Sequence, residues 1–134
     1  MAINSLITRR QVLAGMGTIT LSPCSSIFAQ PKNMMRGAFM IMSTPYTEDD
    51  QVDYEDLANE VAFCAKSGVQ GLVWPQNSSE QRYLSKEERI KGFQTLAEAN
   101  RGTSMALVLG VQADDTDGML EYAEVAESLN PDGM

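Results

Sequence analysis

The sequence contains no histidine and only two cysteines. The lack of histidine excludes Ser-His-Asp and Cys-His nucleophile pairs, and it excludes any histidine-ligated metal site. Cys24 and Cys64 are too few and too far apart for a zinc ribbon or a Cys-x-x-Cys redox motif. We therefore predict no metal and no cofactor. Cys64 lies in an apolar helical stripe and is expected to be a small core residue.

Basic residues are also scarce, with 10 lysines and arginines against 18 acidic residues, for a net charge of −8. Nucleic acids and anionic membranes both bind basic surfaces, so the composition argues against either as a partner. Long hydrophobic runs are lacking as well. Residues 12–21 form an apolar stretch that is only half as long as the ~20 residues of a membrane-spanning helix, so we predict no stable membrane anchor.

Residues 1–29 have the pattern of an export signal. Arg9 and Arg10 form a basic pair, a weakly hydrophobic stretch follows, and Ala29 ends a small-residue cleavage site. This arrangement is similar to a twin-arginine signal peptide. We expect export to the periplasm or beyond by that pathway, a linker at residues 30–36 and a folded domain at residues 37–134. An accidental arginine pair on a cytoplasmic protein is the alternative.

After residue 37, short apolar runs alternate with amphipathic segments. Three runs, at residues 38–42, 71–74 and 105–109, predict parallel strands that are buried on both faces. Capping residues predict that helices begin after Asp53, after Ser85 with Glu88 in a capping box, and after Thr116. Apolar residues at helical spacing predict the buried stripes of these helices, namely Leu57, Val61, Cys64 and Ala65 in the first, Ile90, Phe93 and Leu96 in the second, and Met119, Leu120, Ala123 and Ala126 in the third.

A βαβαβα series builds either a closed eight-stranded barrel or an open doubly wound sheet. The first strand is followed by Thr44-Pro45 rather than by G-x-G-x-x-G, which disfavours a dinucleotide-binding sheet. A barrel needs eight units and about 250 residues. We therefore expect the first three βα units of a TIM barrel, truncated before strand 4, which would begin near Gly133.

Ligands of both architectures bind at the carboxyl ends of the strands. Residues 75–80 lie there, in a connection that is longer than usual and dense in hydroxyl and amide side chains. Such a loop can present hydroxyls and backbone N–H groups to a small carboxylate. An ordinary polar turn, in which Asn77 and Ser78 bond to their own backbone, is the alternative.

Residues 37–133 resemble the N-terminal part of the dihydrodipicolinate synthase / N-acetylneuraminate lyase family. The resemblance rests on the Thr-Pro that ends residues 37–45, the helix from Asp53 to Gly68, the strand and loop through Glu80, and residues 84–89. It implies a TIM barrel of class I aldolase type, in which a lysine on the sixth strand forms a Schiff base with pyruvate or a related 2-keto acid. A tyrosine on the fifth strand takes part in proton transfer.

The family's G-[ST]-[ST]-G-E signature, which binds the keto acid's carboxylate, falls on residues 76–80. Ser78 matches the second hydroxyl and Glu80 the glutamate, whereas Asn77 replaces the first hydroxyl. The two glycines are replaced by Gln76 and Ser79. The candidate substrate-binding residues are therefore Ser78, Asn77 and, in the Thr-Pro segment after the first strand, Thr44.

The lysines after residue 29 all lie outside the predicted strands, so the resemblance places the catalytic lysine and tyrosine beyond Met134. We predict no catalytic residue in this chain. The expected function is that of an inactive piece of a Schiff-base lyase for a small 2-keto acid, whose full-length form is a homotetramer. Two alternatives stay open, a non-catalytic module that binds small carboxylates and a small doubly wound α/β interaction domain. The lysines are Lys32, Lys66, Lys86 and Lys91.

Overall fold

The computed structural model describes residues 35–134. Within that range three strands alternate with three α-helices, as predicted. Their bounds are β1 Phe39–Ile41, α1 Tyr54–Ser67, β2 Gly71–Trp74, α2 Lys86–Asn100, β3 Ala106–Leu109 and α3 Thr116–Ser128, with a short 3-10 helix at Asn77–Ser79 after β2. The predicted signal peptide lies outside the described residues.

The three strands form a parallel sheet in the order β1-β2-β3. Met40 pairs with Leu72, and Leu72 pairs with Leu107. On the far side of β3, Gly133 forms a parallel bridge with Val108. The chain therefore meets the sheet again at the position where the sequence pattern predicts a fourth strand to begin.

The helices pack against one face of the sheet and form the hydrophobic core there. Leu72, Trp74 and Leu109 on the sheet and Phe93 on α2 are fully buried. The rings of Trp74 and Phe93 meet edge to face, with centroids 6.1 Å apart. Gly92 permits this contact, because a Cβ at that position would lie 2.2 Å from the Trp74 ring. Each such side chain contributes about 1.5–3 kcal/mol by its burial.

The prediction that the strands are buried on both faces is wrong for β1. Met40 is 43% exposed and Ile41 is 50% exposed. Both residues lie on β1, the edge strand of the described sheet. Ile41, which pairs with Val73, also lies on the face opposite to Leu72 and Trp74, which the helices do not cover. Apolar composition alone could not reveal this, because burial depends on neighbours far away in the sequence.

The predicted starts of the first two helices are confirmed. The Asp53 carboxylate accepts a hydrogen bond from the Asp56 N–H at 3.0 Å. The Ser85 hydroxyl accepts from the Glu88 N–H at 3.2 Å, and the Glu88 carboxylate accepts from the Ser85 N–H at 2.7 Å. This reciprocal pair is the capping box that the sequence predicted. Gly68 ends α1 in the left-handed region with φ 77°.

Asp115, not the predicted Thr116, caps the third helix. The Asp115 carboxylate accepts from the Gly118 N–H at 2.7 Å, and Thr116 is already the first helical residue. Both residue types cap helices well, and the one in extended conformation takes that role.

The predicted buried stripe of α3 is also partly wrong. Met119 and Leu120 are 43% and 57% exposed, whereas Ala126 is fully buried. Tyr122 and Val125 pack against the core instead. The inward face is therefore rotated from the prediction, because two overlapping apolar stripes run along this helix. Elsewhere in the predicted stripes, Ala65 is exposed, Ile90 is half-buried, and Leu57, Val61, Cys64, Phe93 and Leu96 are buried.

Candidate functional site

The loops that follow β2 and β3 are held together at the carboxyl end of the sheet. The Gly110 N–H donates to the Trp74 carbonyl at 2.9 Å. A Cβ at Gly110 would lie 2.0 Å from the Pro75 carbonyl oxygen, so only glycine lets the two backbones approach this closely. The predicted site loop at residues 75–80 therefore lies directly beside the loop after β3.

The loop after β2 folds into a tight 3-10 turn at Asn77–Ser79. The Ser79 N–H donates to the Gln76 carbonyl at 2.9 Å and the Glu80 N–H to the Asn77 carbonyl at 3.2 Å. Glu80 then reverses the chain with φ 57°. Asn77 and Ser78, two of the predicted binding residues, stand exposed on this turn.

Thr44, the third predicted binding residue, lies beneath the turn rather than on it. It is 9% exposed. Its hydroxyl donates to the Ser79 carbonyl at 2.6 Å and accepts from the Trp74 indole N–H at 3.1 Å. The structure thus brings Thr44 within reach of the turn's backbone, with its hydroxyl already bonded on both sides.

Ser79 is a residue that the sequence reasoning missed. It is fully buried, and its hydroxyl donates to the Met42 carbonyl at 2.5 Å and accepts from the Gln76 N–H at 3.0 Å. From the sequence, Ser79 was only a departure from a glycine position. No local pattern indicates burial of a serine between two polar neighbours.

Clefts open on either side of Glu80. One of about 390 Å³ is lined by Asn77, Glu80, Arg82 and Tyr83. A second, of about 340 Å³, contains Tyr46 together with Glu80 and Glu88. Burial raises the pKa of the Tyr46 hydroxyl, and the charges of both glutamates raise it further. Tyr46 therefore stays protonated at neutral pH.

Arg89 borders a cleft of about 630 Å³ and was also missed from the sequence. Arg89 is 5% exposed, and its guanidinium donates to the carbonyls of Gln112 at 2.8 Å and Gly110 at 3.0 Å. It also lies 3.9 Å from the centroid of the Tyr122 ring. Burial lowers its pKa, but an arginine remains charged. Arg89 thereby fastens α2 to the loop after β3.

The lysines of the described part lie on helices. Lys66 belongs to α1, and Lys86 and Lys91 belong to α2. Lys86 pairs with Glu121, and Lys91 lies 4.0 Å from the Tyr54 ring centroid. Between residues 35 and 134, no group of three or more cysteine or acidic side chains is arranged to hold a metal ion. No helix of this same range is long and apolar enough to cross a membrane.

The described chain thus has three parallel βα units and a hydroxyl- and amide-bearing turn after the second strand. Over residues 34–134 its sequence matches the model of a known family, the dihydrodipicolinate synthetase family. The chain belongs to this family. Its members include lyases, among them dihydrodipicolinate synthases and N-acetylneuraminate lyases.

Curated relatives match over the same part of the chain. The 4-hydroxy-tetrahydrodipicolinate synthase of Methanosarcina mazei is 28% identical over 101 residues, which is 75% of this chain and 34% of that protein. An uncharacterised DapA-like lyase of Pyrococcus horikoshii is 31% identical with the same coverage. The chain therefore spans about a third of the length of the curated relatives it matches.

Solved structures show the same fold. A putative dihydrodipicolinate synthetase from Pseudomonas aeruginosa superposes with a TM-score of 0.71 at 20% identity, covering 75% of this chain and 34% of that one. N-acetylneuraminate lyase from Mycoplasma synoviae gives 0.65 at 26% identity, covering 69% and 32%. These matches confirm the predicted partial TIM barrel over the doubly wound sheet.

Proposed function

We propose that this chain is part of a Schiff-base-forming lyase or aldolase for pyruvate or a related 2-keto acid, and that the Asn77–Ser79 turn binds the keto acid's carboxylate. The turn itself carries the proposal. The hydrogen bonds that close the turn are donated by the N–H groups of Ser79 and Glu80. The N–H groups of Asn77 and Ser78, as the first of a helical turn, have no acceptor within it. With the exposed Ser78 hydroxyl, they form a set of donors suited to a carboxylate.

The proposed chemistry divides into binding and covalent capture. A carboxylate on the turn would hold the keto carbon near the carboxyl ends of the strands, where barrel enzymes react. Capture of that carbon needs a neutral amine, which burial of a lysine provides. Lys66, Lys86 and Lys91 lie on helices, so we propose that the 134-residue chain binds without forming the adduct. In the full-length family member we propose a homotetramer.

Binding can be measured by titrating the isotope-labelled chain with pyruvate and following the backbone amide signals. We expect saturable shifts at Asn77 and Ser78. Ser78→Ala should weaken the affinity by about ten- to a hundredfold, because a hydrogen bond to a charged group contributes about 1.5–3 kcal/mol. Ser104→Ala, an exposed serine before β3, is the matched control and should bind as the wild type does. Signals of the turn that do not move with pyruvate would refute the proposal.

A second candidate is a non-catalytic carboxylate-binding module, favoured by the helical positions of the described lysines. To separate the lyase from the binding module, the protein expressed from the native locus is treated with borohydride in the presence of pyruvate. Its intact mass is then measured. A longer product with a reduced adduct indicates a lyase. A 134-residue product or its processed form, without an adduct but with saturable binding, indicates the module.

We also propose export of the chain by the twin-arginine pathway. The proposal rests on Arg9-Arg10 before a weakly hydrophobic stretch and on Ala29 as a cleavage residue. Replacing both arginines by lysine should retain the uncleaved chain in the cytoplasm, as measured by cell fractionation and immunoblotting. Replacement of Lys66 and Lys91 by arginine keeps the charge and should leave export unchanged. Export that survives the loss of the arginine pair would contradict the pathway.

A further inference from the structure

Two hydroxyl side chains lie directly beneath the proposed carboxylate turn. Ser79 is 0% exposed and Thr44 is 9% exposed. Ser79 is closed off from solvent, and the Thr44 hydroxyl is already bonded to the Ser79 carbonyl and the Trp74 indole. The hydroxyls of both residues form hydrogen bonds that connect the turn to the ends of β1 and β2.

Ser79 is held at three of its atoms. Its hydroxyl bridges the Met42 carbonyl and the Gln76 N–H. Its carbonyl accepts from the Thr44 hydroxyl at 2.6 Å, and its N–H donates to the Gln76 carbonyl at 2.9 Å. The Thr44 hydroxyl is oriented in turn by the Trp74 indole N–H. The residue after Ser78 is thus fixed to the ends of both β1 and β2.

We propose that Ser79 is a positioning residue, which acts through Ser78 by fixing the turn so that the Ser78 hydroxyl and the Asn77 and Ser78 N–H groups converge on one carboxylate. The inference rests on the proposed carboxylate binding. Removal of the buried hydroxyl leaves the Met42 carbonyl and the Gln76 N–H unsatisfied. A turn that relaxes to satisfy them no longer holds its donors in the converging arrangement.

One consequence separates this inference from the family signature. The signature has glycine at the Ser79 position, yet glycine lacks the hydroxyl that joins β1 to the turn in this chain. Ser79→Gly is therefore expected to impair binding as much as Ser79→Ala does, although it restores the residue type of the signature.

The test compares affinity with stability in the full chain. Pyruvate dissociation constants come from amide titrations, and free energies of unfolding come from urea denaturation, for the wild type, Ser79→Ala, Ser79→Gly and Thr103→Ala. Thr103 is the matched control, because its hydroxyl donates to Asn100 and accepts from Met105 at the opposite end of β3. We expect both Ser79 variants to bind about tenfold more weakly. Thr103→Ala should lose comparable stability and keep the wild-type affinity.

Three outcomes are distinguishable. Weaker binding in the Ser79 variants, without weakening in Thr103→Ala, supports the inference. Wild-type affinity in a folded Ser79→Ala overturns it and leaves the proposed function standing. A wild-type chain that does not bind pyruvate overturns the proposed function, and the inference with it.

A second pair of variants covers the case in which Ser79→Ala fails to fold. Thr44→Ser keeps the hydroxyl that bonds to the Ser79 carbonyl, and Thr44→Val removes it at nearly constant volume. We expect Thr44→Ser to bind like the wild type and Thr44→Val to bind several-fold more weakly. Equal affinity in the two variants would overturn the inference.

Discussion

The two faces of the parallel sheet differ in how completely they are covered. Leu72 and Leu109, on the face toward the helices, are fully buried, whereas Ile41 on the opposite face is half exposed. Leu72 and Val73 are adjacent residues of β2 on opposite faces of the sheet, and both are apolar. Residue type therefore does not explain why one face is better covered than the other. The helices do, because they pack on one face only. Stability is therefore concentrated in one layer, and the site lies at the edge of that layer.

The largest expected effect comes from replacing these two neighbours in turn. Leu72→Ala should reduce the free energy of unfolding by about 2–5 kcal/mol, through lost burial and the cavity that remains. Val73→Ala, on the less covered face, should cost about 1 kcal/mol or less. Urea denaturation of both variants provides the measurement. Similar losses would show that the second face is covered in solution.

An added methyl group tests how tightly the buried layer is packed. Gly92→Ala would place its Cβ 2.2 Å from the Trp74 ring, and overpacking of this kind costs about 1–3 kcal/mol. The usual gain of alanine over glycine in a helix is smaller, at about 1 kcal/mol. We therefore expect net destabilisation in urea denaturation. A more stable Gly92→Ala variant would mean that the layer has room to adjust.

The start of α3 provides a smaller effect at the border of the covered layer. Asp115→Ala should cost about 1 kcal/mol, because the Gly118 N–H loses its cap. Thr116→Ala, at the next residue, removes no capping bond and should be nearly neutral. Thermal denaturation followed by circular dichroism distinguishes the two. A reversed order would restore Thr116 as the cap.

The smallest expected effect is a dependence on pH at Glu60 of α1. Partial burial raises the pKa of this carboxyl, and the charge of Asp56 raises it further. A raised pKa means that the folded state binds the proton more tightly, so the contribution of Glu60 to stability is full below its unfolded pKa and is lost as the pH rises through the folded value. Glu60→Gln should be more stable than the wild type at neutral pH, by a few tenths of a kcal/mol after solvent screening. The difference should vanish in acid, as urea titrations at several pH values would reveal.

Much of the fold could be predicted from local chemistry. The Asp53 cap, the Ser85–Glu88 box and the short apolar strands each depend on a few adjacent residues, and the structure confirms them. The exposure of Met40 and Ile41 could not be predicted, because it depends on which elements cover β1. The prediction of Thr116 as the cap of α3 also failed, since the adjacent Asp115 caps equally well and backbone conformation decides between them.

The candidate site divides in the same way. Its location after β2 follows from the spacing of the strands and the polar loop, which the sequence contains directly. The roles of Thr44 and Ser79 depend on hydrogen bonds that span 35 and 37 residues. No periodicity or motif encodes contacts at such separations. In the sequence, Ser79 is only a departure from the glycine of the family signature. In the structure, its side chain connects β1 to the turn by hydrogen bonds.

The bridge between Gly133 and Val108 has a consequence for how the chain is synthesised. The sheet order β1-β2-β3 is also the order of the sequence, and Gly133 approaches the far side of β3 in the same parallel sense. Each unit that leaves the ribosome thus finds the edge of the preceding one beside it. The sheet can grow in step with translation, because no strand must wait for a distant, later segment before it pairs.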